Sequence, residues 1–346
     1  MDLDAEARRR GRSLRILVTR LRYLGDVILT TPAVAALKER YPGAEIHYLA
    51  EHPFADILEG NPFLSGIIGV ERGGRHVLEA VVKLRRAGFV AAIDLFYNPR
   101  SALLLYLSGI PVRVGGSRRM RRRLYTDHFS IPAGTRSAAM HHLEAMGIFD
   151  VKPRETLPRV YLSAEERAAG RILLQRTLGI SEGERAVAVH PGGTWPSKRW
   201  APESFGKLAR LVRGMLDART LVIAGPGEER IAETVRAAAG DSTSVLPRSG
   251  VRSVASVLAS CGAVVANDGG MLHLAVALER PTVGIFGPTE PDIWFPYEGK
   301  GPFSVVTQRA SCAPCHRHRC ETLECLTPIE PEEVLERLKG VLAWKV

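Results

Sequence analysis

At 346 residues the chain is long enough for two domains of ordinary size. It is 45% hydrophobic and 24% charged, so it can bury proper cores, and neither a membrane span nor a secretion signal is expected from its apolar runs. The net charge of +10 points to an anionic partner: nucleic acid, phosphorylated lipid or a nucleotide.

Residues 1–13 include Arg8, Arg9, Arg10 and Arg12 and read as a mobile basic arm. A strand over 14–19 runs into Arg20-Leu21-Arg22-Tyr23-Leu24-Gly25-Asp26, and helical spacing follows over 27–40. Pro32 suits a kink there, or a restart with Thr31 as cap. Strands are predicted over 45–49, 67–70, 91–95 and 112–115. Helices are predicted over 53–59, 76–87 and 101–108. Alternating βα units imply a parallel sheet covered on both faces. Asp26 falls at the carboxyl end of a strand, where such sheets bind ligands. It reads either as a helix N-cap or as a general base, and the two roles are compatible.

Arg118, Arg119, Arg121, Arg122 and Arg123 form a basic run. It reads as a solvated loop or as a contact for a phosphate-rich acceptor or an anionic membrane surface. No aromatic interleaving or recognised motif supports nucleic acid. Two prolines within 152–158 mark a linker. Ser163 and Glu166 then form a capping box for a helix reaching about residue 178. A second alternating series has strands over 186–189, 220–224, 263–266 and 282–286. Its helices span 202–213, 229–238, 254–260 and 271–278, and a last helix spans 331–344. The expected fold is α/β, with two doubly wound domains facing a common cleft.

Three strand ends of the second series carry unusual loops. His190-Pro191-Gly192-Gly193-Thr194-Trp195-Pro196-Ser197-Lys198 offers a glycine pair, a hydroxyl and an ammonium for a diphosphate, with Thr194 and Lys198 as ligands. Its spacing is not that of a Walker loop. Ala224-Gly225-Pro226-Gly227-Glu228-Glu229 puts a carboxylate where a ribose diol binds, although Glu228 and Glu229 equally suit a helix N-terminus. Asn267-Asp268-Gly269-Gly270-Met271-Leu272-His273 is strand, turn and helix start, an anion site by its free N–H groups. His273 is placed to reach the same anion.

Five cysteines are present, four of them at 312, 315, 320 and 325. Zinc at Cys312, Cys315, Cys320 and Cys325, with His316 and His318 as further ligands, is one reading. The spacing lacks two separated knuckles, so reduced thiols in a surface loop are expected instead.

The stretch 20–37 resembles the N-terminal signature of glycosyltransferase family 9, the ADP-heptose:lipopolysaccharide heptosyltransferases. His-Pro-Gly-Gly-Thr at 190–194 with Lys198 and Trp200 resembles the second signature. Asn-Asp-Gly-Gly-Met-Leu-His at 267–273 and Gly-Ile-Phe-Gly-Pro-Thr at 284–289 resemble the third. The resemblance implies a GT-B-like architecture of two Rossmann-like domains. These are an acceptor-side domain over 14–160 and a nucleotide-sugar domain over 161–328, with a helix at 329–346 packing back on the first. It implies inverting, metal-independent transfer of heptose from ADP-heptose to an anionic lipopolysaccharide inner-core acceptor. The enzyme would be cytoplasmic, with peripheral contact at the inner face of the inner membrane and no nucleic acid partner. Asp26 then resembles the base and Lys198 a catalytic diphosphate ligand beside Thr194. Glu228 resembles the ribose ligand. Asp268, Gly269, Gly270, Met271 and His273 resemble the nucleotide-sugar turn. The family often has a hydroxyl residue where Gly269 stands, which removes one phosphate donor. Two other readings stand beside this one: another nucleotide-sugar transferase or epimerase on the same fold, and a nucleic-acid-binding module.

Overall fold

The computed structural model describes all residues except 74–75, 118–120, 136, 155–156 and 345–346. The chain divides into two compact units, Met1–Tyr161 and Leu162–Val346. Two of the arginines in the basic run, Arg118 and Arg119, lie outside the described residues, as does part of the proline-marked linker.

The first unit runs α1 (Leu3–Arg9), β1 (Arg15–Thr19), α2 (Leu24–Ile28), α3 (Thr31–Arg40), β2 (Glu45–Glu51), β3 (Gly66–Val70), α4 (Val77–Ala87), β4 (Ala91–Asp94), α5 (Pro99–Ser108), β5 (Val112–Gly116), β6 (Asp127–Phe129) and α6 (Ala138–Ala145). All of its strand pairings are parallel, in the order β3-β2-β1-β4-β5-β6. The second unit runs α7 (Ala164–Leu178), β7 (Arg185–His190), α8 (Pro202–Leu216), β8 (Ala218–Val222), α9 (Glu229–Ala239), β9 (Thr243–Val245), α10 (Val251–Leu258), β10 (Ala263–Asn267), α11 (Gly270–Ala277), β11 (Thr282–Phe286), α12 (Pro291–Trp294), β12 (Phe303–Thr307) and α13 (Pro331–Leu342). Its parallel order is β12-β11-β10-β7-β8-β9. Both units are therefore doubly wound α/β sheets, as the alternating pattern implies.

Local chemistry explains where elements start. Ser163 accepts from the Glu166 N–H at 3.2 Å and Glu166 accepts from the Ser163 N–H at 2.9 Å, so α7 opens on the expected capping box. Its end is Gly179, at φ +62°, the left-handed position that glycine adopts without strain. The central strands β1, β4, β7 and β10 are buried on both faces, which is why they read as unbroken apolar runs. The edge strands β6, β9 and β12 and the helix α6 are missing from the sequence reading. Strands β6 and β9 are three residues each, too short to show a period.

Two expectations are corrected. Residues 1–13 are not a free arm. Leu3 and Ala7 lie one turn apart on α1 and are buried, and Asp2 caps the helix by accepting from the Ala5 N–H at 3.0 Å. The α-amino group donates to the Ile148 carbonyl at 2.8 Å. Charge counting saw the arginines and missed the buried pair ahead of them. The last helix was expected on the first domain, yet its buried face belongs to the second unit's core. Val334, Leu335, Leu338 and Val341 of α13 join residues of β7, β10 and β11 in one apolar cluster. Burying four such side chains contributes roughly 1.5–3 kcal/mol each.

Candidate active site

In a doubly wound sheet the chain turns back on itself beside the first strand, and the carboxyl ends there open a crevice. In the second unit this switch lies between β7 and β10, which pair in parallel. The loops leaving those two strands are the ones singled out by sequence, 190–198 and 267–270.

Asn267 joins them. Its side chain, 1% exposed, donates to the carbonyls of Pro191 at 2.8 Å and Gly192 at 3.1 Å, and accepts from the Trp200 N–H at 3.1 Å. The sequence reading treated Asn267 only as a strand breaker. Its signal was its place one residue before Asp268, at the end of a buried strand.

Asp268 is buried, and its Oδ2 accepts from Thr289 Oγ1 at 2.5 Å and pairs with Lys198 Nζ at 2.5 Å. These three residues come from three separate strand-end loops. The ammonium also stands 4.5 Å from the centre of the Trp195 ring and 5.8 Å from that of Trp294. A lysine so held has one N–H on Asp268 and others left for an anion. Beside it α11 begins, with unfilled backbone N–H groups and the positive end of its dipole. Gly269, the residue before α11, has φ 175°, extended backbone open to any residue, and a Cβ there would meet only the Asn267 carbonyl, at 3.8 Å. Neither backbone nor packing demands glycine at this position. Met271 is half-buried on the first turn, and His273 is 4% exposed, so the imidazole sits within the fold. Thr194 is exposed on the neighbouring loop.

Glu228 is enclosed by other groups. One carboxylate oxygen accepts from the Gly193 N–H at 2.7 Å. The other accepts from the Gly225 N–H at 2.7 Å and lies 3.3 Å from His190 Nε2. Burial alone would raise the carboxyl's pKa. The His190 hydrogen bond and charge and the two N–H groups outweigh burial and hold it down to about 2. Glu228 therefore bolts the loops after β7 and β8 together. A Cβ at Gly192 would overlap this carboxylate, so the first glycine of the pair makes room for it. The second, Gly193, has φ +148°, which side chains rarely adopt.

The first unit repeats the scheme at its own switch, between β1 and β4. Asp26 is the third residue of α2, not its cap; the cap position belongs to Tyr23. Its Oδ2 accepts from the Tyr23 N–H at 3.1 Å, and its Oδ1 is paired with the Arg20 guanidinium. Arg20 in turn donates to the Leu95 carbonyl at 2.9 Å, just past β4, and lies over the Phe96 ring at 4.7 Å. A partly exposed carboxylate is thus fixed at both oxygens. Arg20 was quoted in the signature but given no role.

The cysteine-bearing loop supports the lysine loop. His318 stacks on Trp195 with ring centres 3.9 Å apart. Ser197 donates to the Arg317 carbonyl through its hydroxyl and to the His318 carbonyl through its N–H at 3.4 Å. The backbone N–H groups of Cys315 and His316 donate to the Pro288 carbonyl at 3.1 and 3.0 Å, next to Thr289. Cys312 is exposed, Cys325 is buried, and all five thiols are unpaired. Among the described residues no group of three or more His, Cys, Asp or Glu is arranged to hold a metal ion. Among them also, no helix is long and apolar enough to cross a membrane.

Comparison with known proteins bears on the family and the fold. The sequence pattern of glycosyltransferase family 9 (heptosyltransferase) matches residues 77–326. Lipopolysaccharide heptosyltransferase 1 of Pseudomonas aeruginosa is 25% identical, over 95% of this chain and 98% of its own length. Among solved structures, a family 9 glycosyl transferase from Veillonella parvula superposes with a TM-score of 0.83 at 24% identity, covering 95% of this chain and 97% of that one. The ADP-heptose lps heptosyltransferase II of E. coli superposes with a TM-score of 0.79 at 23% identity, covering 95% and 98%.

Proposed function

The chain belongs to glycosyltransferase family 9, the heptosyltransferases, and from that premise we propose that it moves a heptose from ADP-heptose to an inner-core hydroxyl of lipopolysaccharide with inversion. The donor and acceptor are those named for its relatives, a heptosyltransferase of lipopolysaccharide and an ADP-heptose enzyme. The observation that supports the reading best is the Lys198 ammonium, held by buried Asp268 at the N-terminus of α11.

The proposed reaction is a single displacement at the anomeric carbon. The second unit receives the leaving ADP. Lys198, the N–H groups after Asp268 and the exposed Thr194 hydroxyl meet the charge that grows on the diphosphate. Losing one such donor typically costs about 10²- to 10³-fold in rate. Gly269 leaves the helix start bare, so a phosphate oxygen approaches the backbone closely. Met271 and His273 complete the first turn behind it. A carboxylate has about four acceptor directions, and three at Glu228 are in use, leaving one for a ribose hydroxyl.

The first unit supplies the base. Asp26 takes the proton of the acceptor hydroxyl as the new bond forms, an effect worth about 10²- to 10⁴-fold. Arg20 and the Tyr23 N–H orient its two oxygens. The test is Asp26→Asn, assayed for heptose transfer and for ADP binding. Transfer is expected to fall at least about a hundredfold with ADP affinity unchanged. Full transfer by this variant rejects the base assignment. Consumption of the donor with no acceptor present would replace the transfer reading with an epimerase.

A further inference from the structure

We propose that the outer face of α4 and α5 in the first unit docks the protein on an anionic lipid bilayer. The sequence from 95 to 126 contains no aspartate or glutamate and seven arginines. Within it, α5 turns Ala102, Leu104 and Leu105 into the core and leaves Leu103, Tyr106 and Leu107 outside, at 44%, 48% and 38% exposure. Those three lie at i, i+3 and i+4, so they form one stripe along the helix. Leu78 of α4 is 74% exposed and shares its face with Val82 and Arg85. The two helices lie side by side, and Arg85 donates to the Leu107 carbonyl at 3.0 Å.

Arginines border the stripe. Arg113 lies over the Tyr106 ring at 5.6 Å and donates to the Leu124 carbonyl at 3.0 Å, which ties the turn Arg122–Leu124 to the end of α5. Arg122 and Arg123 of that turn are exposed. The acid on α4 nearest this face, Glu79, is paired with Lys83 and His76. Arg100, one of the seven, is paired with Glu51, which leaves six arginines toward the stripe's charge.

An apolar stripe bordered by arginines fits the boundary between headgroups and acyl chains. The leucines enter the acyl layer while guanidinium groups reach the phosphates. Two other partners fit the chemistry less well. A second copy of the chain meeting this face about a twofold axis would set arginine against arginine. Single-stranded nucleic acid calls for a row of aromatic platforms, and the stripe is mostly leucine.

The test is co-sedimentation of the full chain with vesicles of phosphatidylglycerol mixed into phosphatidylcholine, against phosphatidylcholine alone. Neither donor nor acceptor is added, so failure here leaves the transferase reading standing. Binding is expected only with phosphatidylglycerol and is expected to weaken with salt. Arg122→Ala and Arg123→Ala should each lower it about fivefold. Leu103→Ser with Tyr106→Ser should lower it further while the circular dichroism spectrum and the thermal unfolding of the full chain are retained, which shows that the variant is folded. Absence of binding to phosphatidylglycerol vesicles, or undiminished binding by these variants, overturns the proposal. So does loss of a dimer on the same substitutions without loss of vesicle binding.

Discussion

Replacing Glu228 by glutamine tests the bolt between the loops after β7 and β8. Glutamine keeps the shape but turns one oxygen into an NH₂ facing an N–H donor, and it removes the charge opposite His190. The magnitude follows from the carboxyl's displacement from an ordinary 4.5 to about 2. At 1.36 kcal/mol per pH unit this is roughly 3 kcal/mol, and screening at a side chain still partly open to solvent reduces it to ~2 kcal/mol. The sign is fixed by linkage. The folded-state pKa lies below the unfolded one, so the stabilisation is complete above about pH 4.5 and is lost as pH falls toward 2. All four tryptophans, at 195, 200, 294 and 344, lie in the second unit, so their fluorescence during urea unfolding reports that unit. Glu228→Gln should lower its unfolding free energy by ~2 kcal/mol near neutral pH, and by about half as much near pH 3. A deficit that is the same at both pH values, or absent at neutral pH, refutes the argument.

Gly192→Ala should mimic that loss, because its Cβ displaces the Glu228 carboxylate. Combined with Glu228→Gln it should add little, and full additivity in the same unfolding assay would show that the two act separately. Gly269→Ala should leave thermal stability within about 0.5 kcal/mol, since the site is extended and open. It should nevertheless weaken ADP binding in calorimetry; unchanged affinity would mean that no ligand approaches this backbone. Lys198→Ala should cut the transfer rate about 10²- to 10³-fold. It should also destabilise the second unit by leaving the Asp268 carboxylate buried without its cation, and a variant with wild-type turnover would remove Lys198 from the mechanism.

The sequence determined the parts of this protein that depend on near neighbours. Two doubly wound units are legible because buried parallel strands are apolar throughout and alternate with helices at 3.6-residue spacing. The capping box at Ser163 and Glu166 is legible because its chemistry spans four residues. The three loops at strand ends are legible because glycine clusters interrupt apolar runs there.

Strand order was decided only by the tertiary structure, since it depends on how crossovers place distant segments. That order makes β7 and β10 neighbours and so brings Lys198, Asp268 and Thr289 to one point. It also lets Glu228 reach back to His190 at the end of β7 and to Gly193 on the loop after it, which no local pattern encodes. Burial gave the same lesson at both ends of the chain. Leu3 with Ala7, and the apolar face of α13, find their partners only in the folded core. A side chain's pattern says that it prefers to leave water; which surface receives it is settled by everything else that has folded.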